Sequence, residues 1–458
     1  MKYLITFLVF AFFLTNNVFA ISDPRLYPNN KFGINSLSPE SEINGVADLV
    51  NNNGDWGWVV IVIRKNERDL ARWQSVFDSL TQSHLTPIVR IATSVDSQGN
   101  WQQPTSEDAR AWAQFLSALS WPTKNHYVQV YNEVNHKTEW GGKVDAANYA
   151  VELNKTINAL KAKNQDFFVL NAPMDLAAGT SQDSLDASVF FKTMEVTVPG
   201  IFGKLDGWAS HSYPNPNFSA PPLKSGRTGI DGYKWELAQI NAFAKKNLPV
   251  FITETGWRNS GSEAVGLTEV DIANYYKTAF EKVWNDSQVV VVAPFVFNYP
   301  DSLFKAFSFK EGENCALYCQ ALKDIFKVQG APEREDTGQI LAFSHSPEVI
   351  NNSNTKITLE IKNNGNYIWD TNKSLKLNID ATGLEVVKIT WEKKTIYPGQ
   401  IAKAFIDIKA QKEGIMPFTL NVTNDDNIIA QKESSLQSVT YFAYIINTIR
   451  TIFGPSSS

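Results

Sequence analysis

The sequence predicts a mixed α/β chain, a (β/α)8 TIM barrel followed by an all-β sandwich. Three observations carry this. Between residues 32 and 328, short apolar runs alternate with amphipathic helical stretches eight times. The runs are apolar on both faces, as in strands covered on both sides. Beyond residue 338 the pattern becomes one of short, period-two strands separated by turns. An open doubly wound sheet is the alternative for the first part, but no Gly-rich phosphate loop follows any strand.

Taken in order, Phe32-Gly33-Ile34-Asn35 is the first strand and 45–50 a short helix. The second strand is 58–64, ending in Arg64, and 67–80 is amphipathic, with Leu70, Trp73, Val76, Phe77 and Leu80 at helical spacing. Pro87-Ile88-Val89-Arg90-Ile91 is the third strand, and a helix opens at 104–108 and runs to Leu119. The fourth strand, 127–131, ends in Asn132-Glu133, and a helix spans 144–162. Strand 167–171 and helix 185–194 follow, then strand 205–211 leading into Ser212-Tyr213-Pro214 and helix 233–245. The seventh strand, 249–254, ends in Glu254; a helix capped by Thr268 runs over 267–284. The eighth strand is 289–297, followed by Asn298-Tyr299, and helix 316–328 closes the set.

Composition narrows the function. The 458 residues carry a net charge of −5 with a pI of about 5.7 and no basic stripe, which argues against nucleic acid as the main partner. Aromatics make up 12% and include 13 Trp, enough for exposed faces in a sugar cleft as well as for the core. Residues 1–20, with Lys2, an apolar run over 3–14 and Ala20, read as a signal peptide, so the mature chain is expected to be secreted or at the cell surface. The run is short for a membrane span. Cys315 and Cys319 are the two cysteines. A bridge between them needs a turn or a frayed helix start, because i,i+4 positions in a regular helix point in parallel. No His neighbours them, so a metal site is not expected. No cofactor is implied.

Two strands thus deliver one glutamate each at their C-terminal ends. A carboxylate at the tip of a buried strand is costly unless solvated, paired or used. Glycosidases need two such groups, one protonated for the leaving oxygen and one ionised. Barrel enzymes place their chemistry at these strand ends, where Arg64, Asn132, Glu133, His211, Tyr213, Glu254, Trp257 and Asn298 all fall. Over residues 30–328 the chain resembles the clan A glycoside hydrolases, through Asn132-Glu133, His211-Ser212-Tyr213-Pro214 and Thr253-Glu254-Thr255-Gly256-Trp257. The resemblance implies a retaining barrel enzyme with Glu133 as acid/base, Glu254 as nucleophile and Asn132 on the sugar 2-OH. His211, Tyr213, Trp257, Arg64, Trp140, Asn298 and Tyr299 are the substrate-binding candidates. A donor such as His211, Tyr213 or Arg64 beside Glu254 is expected to keep it ionised. Each has a plainer reading: His211 as a satisfied core histidine, Trp257 and Trp140 as packing residues, Arg64 as an ion-pair partner, and Asn298-Tyr299 as a turn. The clan's common Asn-Glu-Pro is here Asn132-Glu133-Val134, and Phe297 and Tyr299 stand where many members have a Trp.

The remaining organisation is a linker over 331–338, a sandwich over 339–440 and an apolar tail over 441–458. Strands are expected at 356–361, 375–379, 387–391, 404–408 and 418–422. This module resembles immunoglobulin-like domains through the run ending in Trp369, Trp391 and Tyr397-Pro398-Gly399-Gln400. The tail either docks on the sandwich or lies on a membrane surface. The resulting expectation is a secreted retaining hydrolase of β-linked poly- or oligosaccharides. Its rivals are a transglycosylase using the same residues and a non-catalytic carbohydrate-binding surface protein.

Overall fold

The computed structural model describes residues 21–261, 266–301 and 303–453; the expected signal peptide lies outside them. The N-terminal unit, 21–330, alternates strands β1 (Gly33–Ser36), β2 (Gly57–Arg64), β3 (Leu85–Ala92), β4 (His126–Val130), β5 (Phe167–Leu170), β6 (Trp208–His211), β7 (Val250–Glu254) and β8 (Val289–Val292) with helices. The helices are α1 (Pro39–Val50), α2 (Leu70–Gln82), α3 (Asp108–Ser117), α4 (Ala146–Lys163), α5 (Ala187–Thr197), α6 (Gly232–Ala244), α7 (Glu269–Lys282) and α8 (Leu317–Asp324). Strands β1–β5 form one parallel sheet and β6–β8 another. Parallel bridges between Leu170 and Gly207 and between Phe32 and Val292 link the sheets at both seams.

Alternating strand residues fill two different cores. Trp58, Val60, Ile88, Tyr127, Phe168, Leu170, Ala209, Phe251 and Val291 pack together on one side of the strands. Val59, Ile61, Val89, Val128, Val169, Val250 and Val292 pack on the other side with the helices. This explains the unbroken apolar strands, since both faces are dry. Local signals set the ends. Pro39 at the first turn with Glu40 and Glu42 starts α1 six residues before the sequence reading placed it. Thr268 and Asp271 cap α7 reciprocally. Strand β8 stops at Val292 rather than running to 297, because Pro294 has no N–H to donate. The chain then returns through Val296 N–H to the Phe307 carbonyl and Phe297 N–H to the Asn35 carbonyl. Cys315 and Cys319 are disulfide-bonded, with Cα atoms 5.5 Å apart. Cys315 ends the second strand of the hairpin β9 (Lys310–Glu311)–β10 (Asn314–Cys315), and Cys319 lies in the first turn of α8, so the pair escapes helix geometry.

The C-terminal unit has two four-stranded sheets. One is ordered β11 (Gly338–Ser344), β13 (Asn354–Asn363), β18 (Ile401–Ala410), β16 (Leu384–Trp391). The other is ordered β12 (Glu348–Ile350), β20 (Asn427–Val439), β19 (Gly414–Asn424), β15 (Leu375–Asp380). A small ribbon pairs β14 (Trp369–Asp370) with β17 (Thr395–Ile396). Ile357, Leu359, Ile361, Trp369, Ile406, Ile408, Leu420 and Val422 meet in the core between the sheets. The sequence reading lacked β11, β12 and β20. Strand β20 contains the polar run 431–435, which has no period-two apolar signal.

The stretch read as a free linker is packed against both units. Lys124 Nζ lies 3.0 Å from Glu333 and 3.8 Å from Glu335. The Arg334 guanidinium sits 4.7 Å from the Trp56 ring and 4.0 Å from the Tyr367 ring. The tail forms α9 (Tyr441–Phe453), whose Asn447 amide donates to Glu348 at 2.9 Å, while Tyr441, Phe442, Ile445 and Ile449 are exposed. Among the described residues no helix is long and apolar enough to cross a membrane.

Candidate active site

The C-terminal ends of the N-terminal unit's strands open into a cleft of about 910 Å³. Glu133 follows β4 on a strained turn: Tyr131 and Glu133 have φ of 72° and 30°, a left-handed region that bulky side chains rarely adopt. Glu254 is the last residue of β7 and needs no such turn. His211, the last residue of β6, has its side chain fully buried beside both. Its Nδ1 is 2.8 Å from Glu133 Oε1 and 3.7 Å from Glu254 Oε2, so these two oxygens lie within about 6.5 Å of each other. Tyr213 donates its hydroxyl to Glu254 at 3.1 Å, and Arg90 Nη1 lies 3.6 Å from the other Glu254 oxygen.

The two carboxyls are not equivalent. Burial pushes Glu133 up to about 7, Asp175 adds to this, and His136 and Arg90 oppose it. Burial also raises Glu254, but His211, Arg90 and the Tyr213 hydroxyl pull it down against the repulsion from Glu133. Glu254 is the less exposed side chain, 13% against 24%, so its donors rather than water hold it below Glu133. Burial lowers His211 to about 4, which makes its imidazole neutral near pH 7.

Several binding candidates line the cleft: Asn132, Tyr213, Arg64 and Tyr299. Asn132 is buried and its amide oxygen has no partner. Arg64 is half-exposed, lies 5.5 Å from the Trp101 ring and 3.8 Å from Glu67, and does not reach Glu254. Arg90 holds the place expected of it. Trp257 and Trp140 are corrected to packing residues. Trp257 is 2% exposed among Tyr275, Tyr276 and Trp284, with its indole N–H on the Ala220 carbonyl. Trp140 is 1% exposed between Tyr131 and Tyr149, with its N–H on Asn148. In both, the neighbouring rings and the satisfied N–H leave no face for a ligand. Asn298 bridges Lys310 through its backbone and does not line the cleft. Phe297 is buried, and Phe295 and Tyr299 reach the cleft after β8.

Sequence reasoning missed Arg90, Glu139 and the His136–Asp175 pair. Arg90 was legible, being a lone charge in an apolar strand, two residues from the inward-facing Ile88. Glu139 was not, because Lys137-Thr138-Glu139 reads as an exposed loop. It is largely buried against Arg90, 4.0 Å away, and the Asn132 amide, and burial pushes it up to about 7. His136 contacts Asp175 at 2.9 Å across the mouth. Among the described residues no group of three or more His, Cys, Asp or Glu side chains is placed to hold a metal ion.

No protein-family model and no curated protein matches this chain. The solved structures it is similar to include clan A glycoside hydrolases. A family 39 glycoside hydrolase from Bacteroides cellulosilyticus shares 12% identity, with 84% of this chain and 82% of that one covered and a TM-score of 0.46. A family 128 endo-β-1,3-glucanase from Sorangium cellulosum shares 14% identity, covering 64% and 98%, with a TM-score of 0.43. Endo-glycoceramidase II from a Rhodococcus species shares 13% identity, covering 84% and 99%, with a TM-score of 0.41. At these values the functional argument rests on the site itself.

Proposed function

We propose that this protein is an exported retaining glycoside hydrolase acting on β-linked glycans. One observation carries the reading: a single neutral histidine nitrogen lies beside both Glu133 and Glu254. Retaining enzymes need carboxyls about 5–5.5 Å apart and inverting ones about 6.5–9.5 Å. The bound of about 6.5 Å favours the former. Glu254, held by Tyr213 and Arg90, is the group suited to be an anion and to attack the anomeric carbon. As that bond forms, the bond to the leaving oxygen breaks and Glu133 supplies its proton. Glu133 then takes a proton from water, whose oxygen displaces Glu254 from the anomeric carbon. The partnerless Asn132 oxygen is free to accept from a sugar hydroxyl.

Further readings support this one. The two seams bridged by Leu170–Gly207 and Phe32–Val292, with an enclosed core, support a closed (β/α)8 barrel over 21–330. Two packed sheets support an immunoglobulin-like sandwich over 339–440. The outward apolar face of α9 supports association of the tail, 441–458, with a cell or membrane surface.

The mechanism is tested on an activated aryl β-glycoside. Glu133→Ala keeps fast glycosylation there, and azide restores turnover as a β-glycosyl azide. Glu254→Ala loses glycosylation. A slow-turnover fluorosugar labels Glu254 by mass spectrometry. A label on Glu133, or inverted product by NMR, overturns the assignment.

A further inference from the structure

The two walls of the cleft differ in chemistry. One is charged, with Arg64, Glu67, Arg72, Arg90 and Glu139, and with Arg64 and Arg90 over the Trp101 ring. The other is mainly apolar, built by Phe218 from the loop after β6 and by Phe295, Tyr299, Leu303, Phe304 and Phe307 after β8, with Asn215 and Arg258 as polar neighbours at its Phe218 end. Leu303 is 72% exposed and Phe304 37%, although both line the cleft that holds Glu133 and Glu254. Isolated exposed leucines are ordinary; a contiguous apolar wall in a cleft is not.

This wall is poorly shaped for a pyranose. A sugar ring needs an open aromatic face and several hydrogen-bonding groups at its rim. Here the rings lock edge to face. Phe218 meets Phe307 at 5.2 Å and 89°, Phe295 meets Phe304 at 5.3 Å and 86°, and Tyr299 meets Phe304 at 5.3 Å and 74°. Each such pair places an edge over a face. The result is an irregular surface of ring edges and one aliphatic side chain, which suits a flexible hydrocarbon chain better than a flat sugar. It adjoins the reacting groups, because Phe218 packs on Tyr213 at 5.0 Å and Tyr213 hydrogen-bonds Glu254.

We propose that the substrate is amphiphilic, a β-glycoside whose leaving group carries an alkyl chain, with the sugar over Glu133 and Glu254 and the chain along the Phe218–Phe304 wall. This rests on the hydrolase reading. The chain length sets affinity, and the sugar and the two glutamates set the chemistry.

The probe is a series of n-alkyl β-glucosides and β-galactosides from methyl to octyl, used below their micelle concentrations. Affinity is measured by calorimetry on Glu254→Gln, and kcat/KM on the wild type. Each buried methylene is expected to tighten binding roughly fourfold until the wall is filled. The Leu303→Asp/Phe304→Ser double variant, made in the Glu254→Gln background and checked for folding by circular dichroism, is expected to bring the octyl-to-methyl affinity ratio close to one. A conservative Leu303→Met/Phe304→Leu pair is expected to restore it. Glutamate-dependent turnover with an affinity independent of chain length overturns this inference and leaves the hydrolase reading standing. Chain-length-dependent affinity without turnover supports the placement of an alkyl chain on this wall, and sinks the hydrolase reading and with it the identification of the ligand as a substrate. A slope equally steep in the polar double variant overturns the placement of the chain.

Discussion

The two units handle charge in opposite ways. In the N-terminal unit, buried polar residues include Glu42, Asp108, Glu152, His211, Glu236 and Lys327. In the C-terminal unit, the buried polar residues among those described are Asn363, Thr423, Asn424 and Ser438, all neutral. Burying an ion is expensive unless partners or solvent relieve it. The first unit accepts that cost and places two strongly perturbed carboxyls, Glu133 and Glu139, in the cleft at one set of strand ends. The second avoids it. Perturbed groups in a cleft mark chemistry, and an uncharged core between two sheets marks packing. The perturbed carboxyls of the cleft belong to the first unit.

The sharpest way to break this contrast is to remove the charges. Glu254→Gln and Glu133→Gln each lower turnover of an unactivated β-glycoside by on the order of 10³-fold or more, with the melting temperature held. On the proposed mechanism, wild-type activity needs Glu254 ionised and Glu133 protonated. The rate therefore rises as pH climbs through the Glu254 pKa and falls as it passes about 7, where Glu133 loses its proton. An alkaline limb absent from the wild-type pH–rate profile contradicts the assignment.

A core substitution in the second unit has the converse outcome. Trp369 is fully buried there, and its indole N–H donates to Asp336 at 2.9 Å. Trp369→Ala costs about 3–5 kcal/mol. Denaturant titration then shows an early transition confined to the sandwich, with turnover of a small aryl glycoside retained. Loss of turnover at denaturant concentrations below that transition shows the units to be coupled more tightly than the contrast allows.

The smallest effect is on stability against pH. Glu236 of α6 is fully buried beneath Trp208 and Ser210, and burial pushes it up to about 8. Its folded pKa is above its unfolded one, so the folded state binds the extra proton. The associated stability is present below about 4.5 and is lost as pH rises through about 8. The melting temperature should fall from pH 6 to pH 9 in the wild type and fall less in Glu236→Gln. Equal slopes in the two proteins show that Glu236 does not carry this dependence.

The sequence was most informative where physics is local. Apolar periodicity located the eight parallel strands β1–β8 of the first unit but not the hairpin β9–β10, and the Asn132-Glu133 and Glu254 strand ends were visible as carboxylates out of place in apolar runs. Trp257 and Trp140 show where such reading stops. Both lie at strand ends or in a loop by the cleft, yet tertiary neighbours close over both rings. Glu139 shows the reverse, a loop glutamate with an ordinary neighbourhood in sequence that folding buries against Arg90.

By itself the amino-acid sequence determined the alternation of parallel strands and helices in the first unit, the change of pattern near residue 338 and the placing of Glu133 and Glu254 at strand ends. Each depends on a residue's chemistry and its neighbours within a turn or two, and hydrophobic burial reads that spacing directly. Tertiary structure alone decided which arginine faces Glu254, which carboxyl holds the higher pKa, and which aromatics reach the cleft. Those depend on distances between residues tens to hundreds of positions apart, such as Arg90 and Glu254 or Phe218 and Phe307. Electrostatic energy falls with separation in space, not along the chain, so no spacing in the sequence records it.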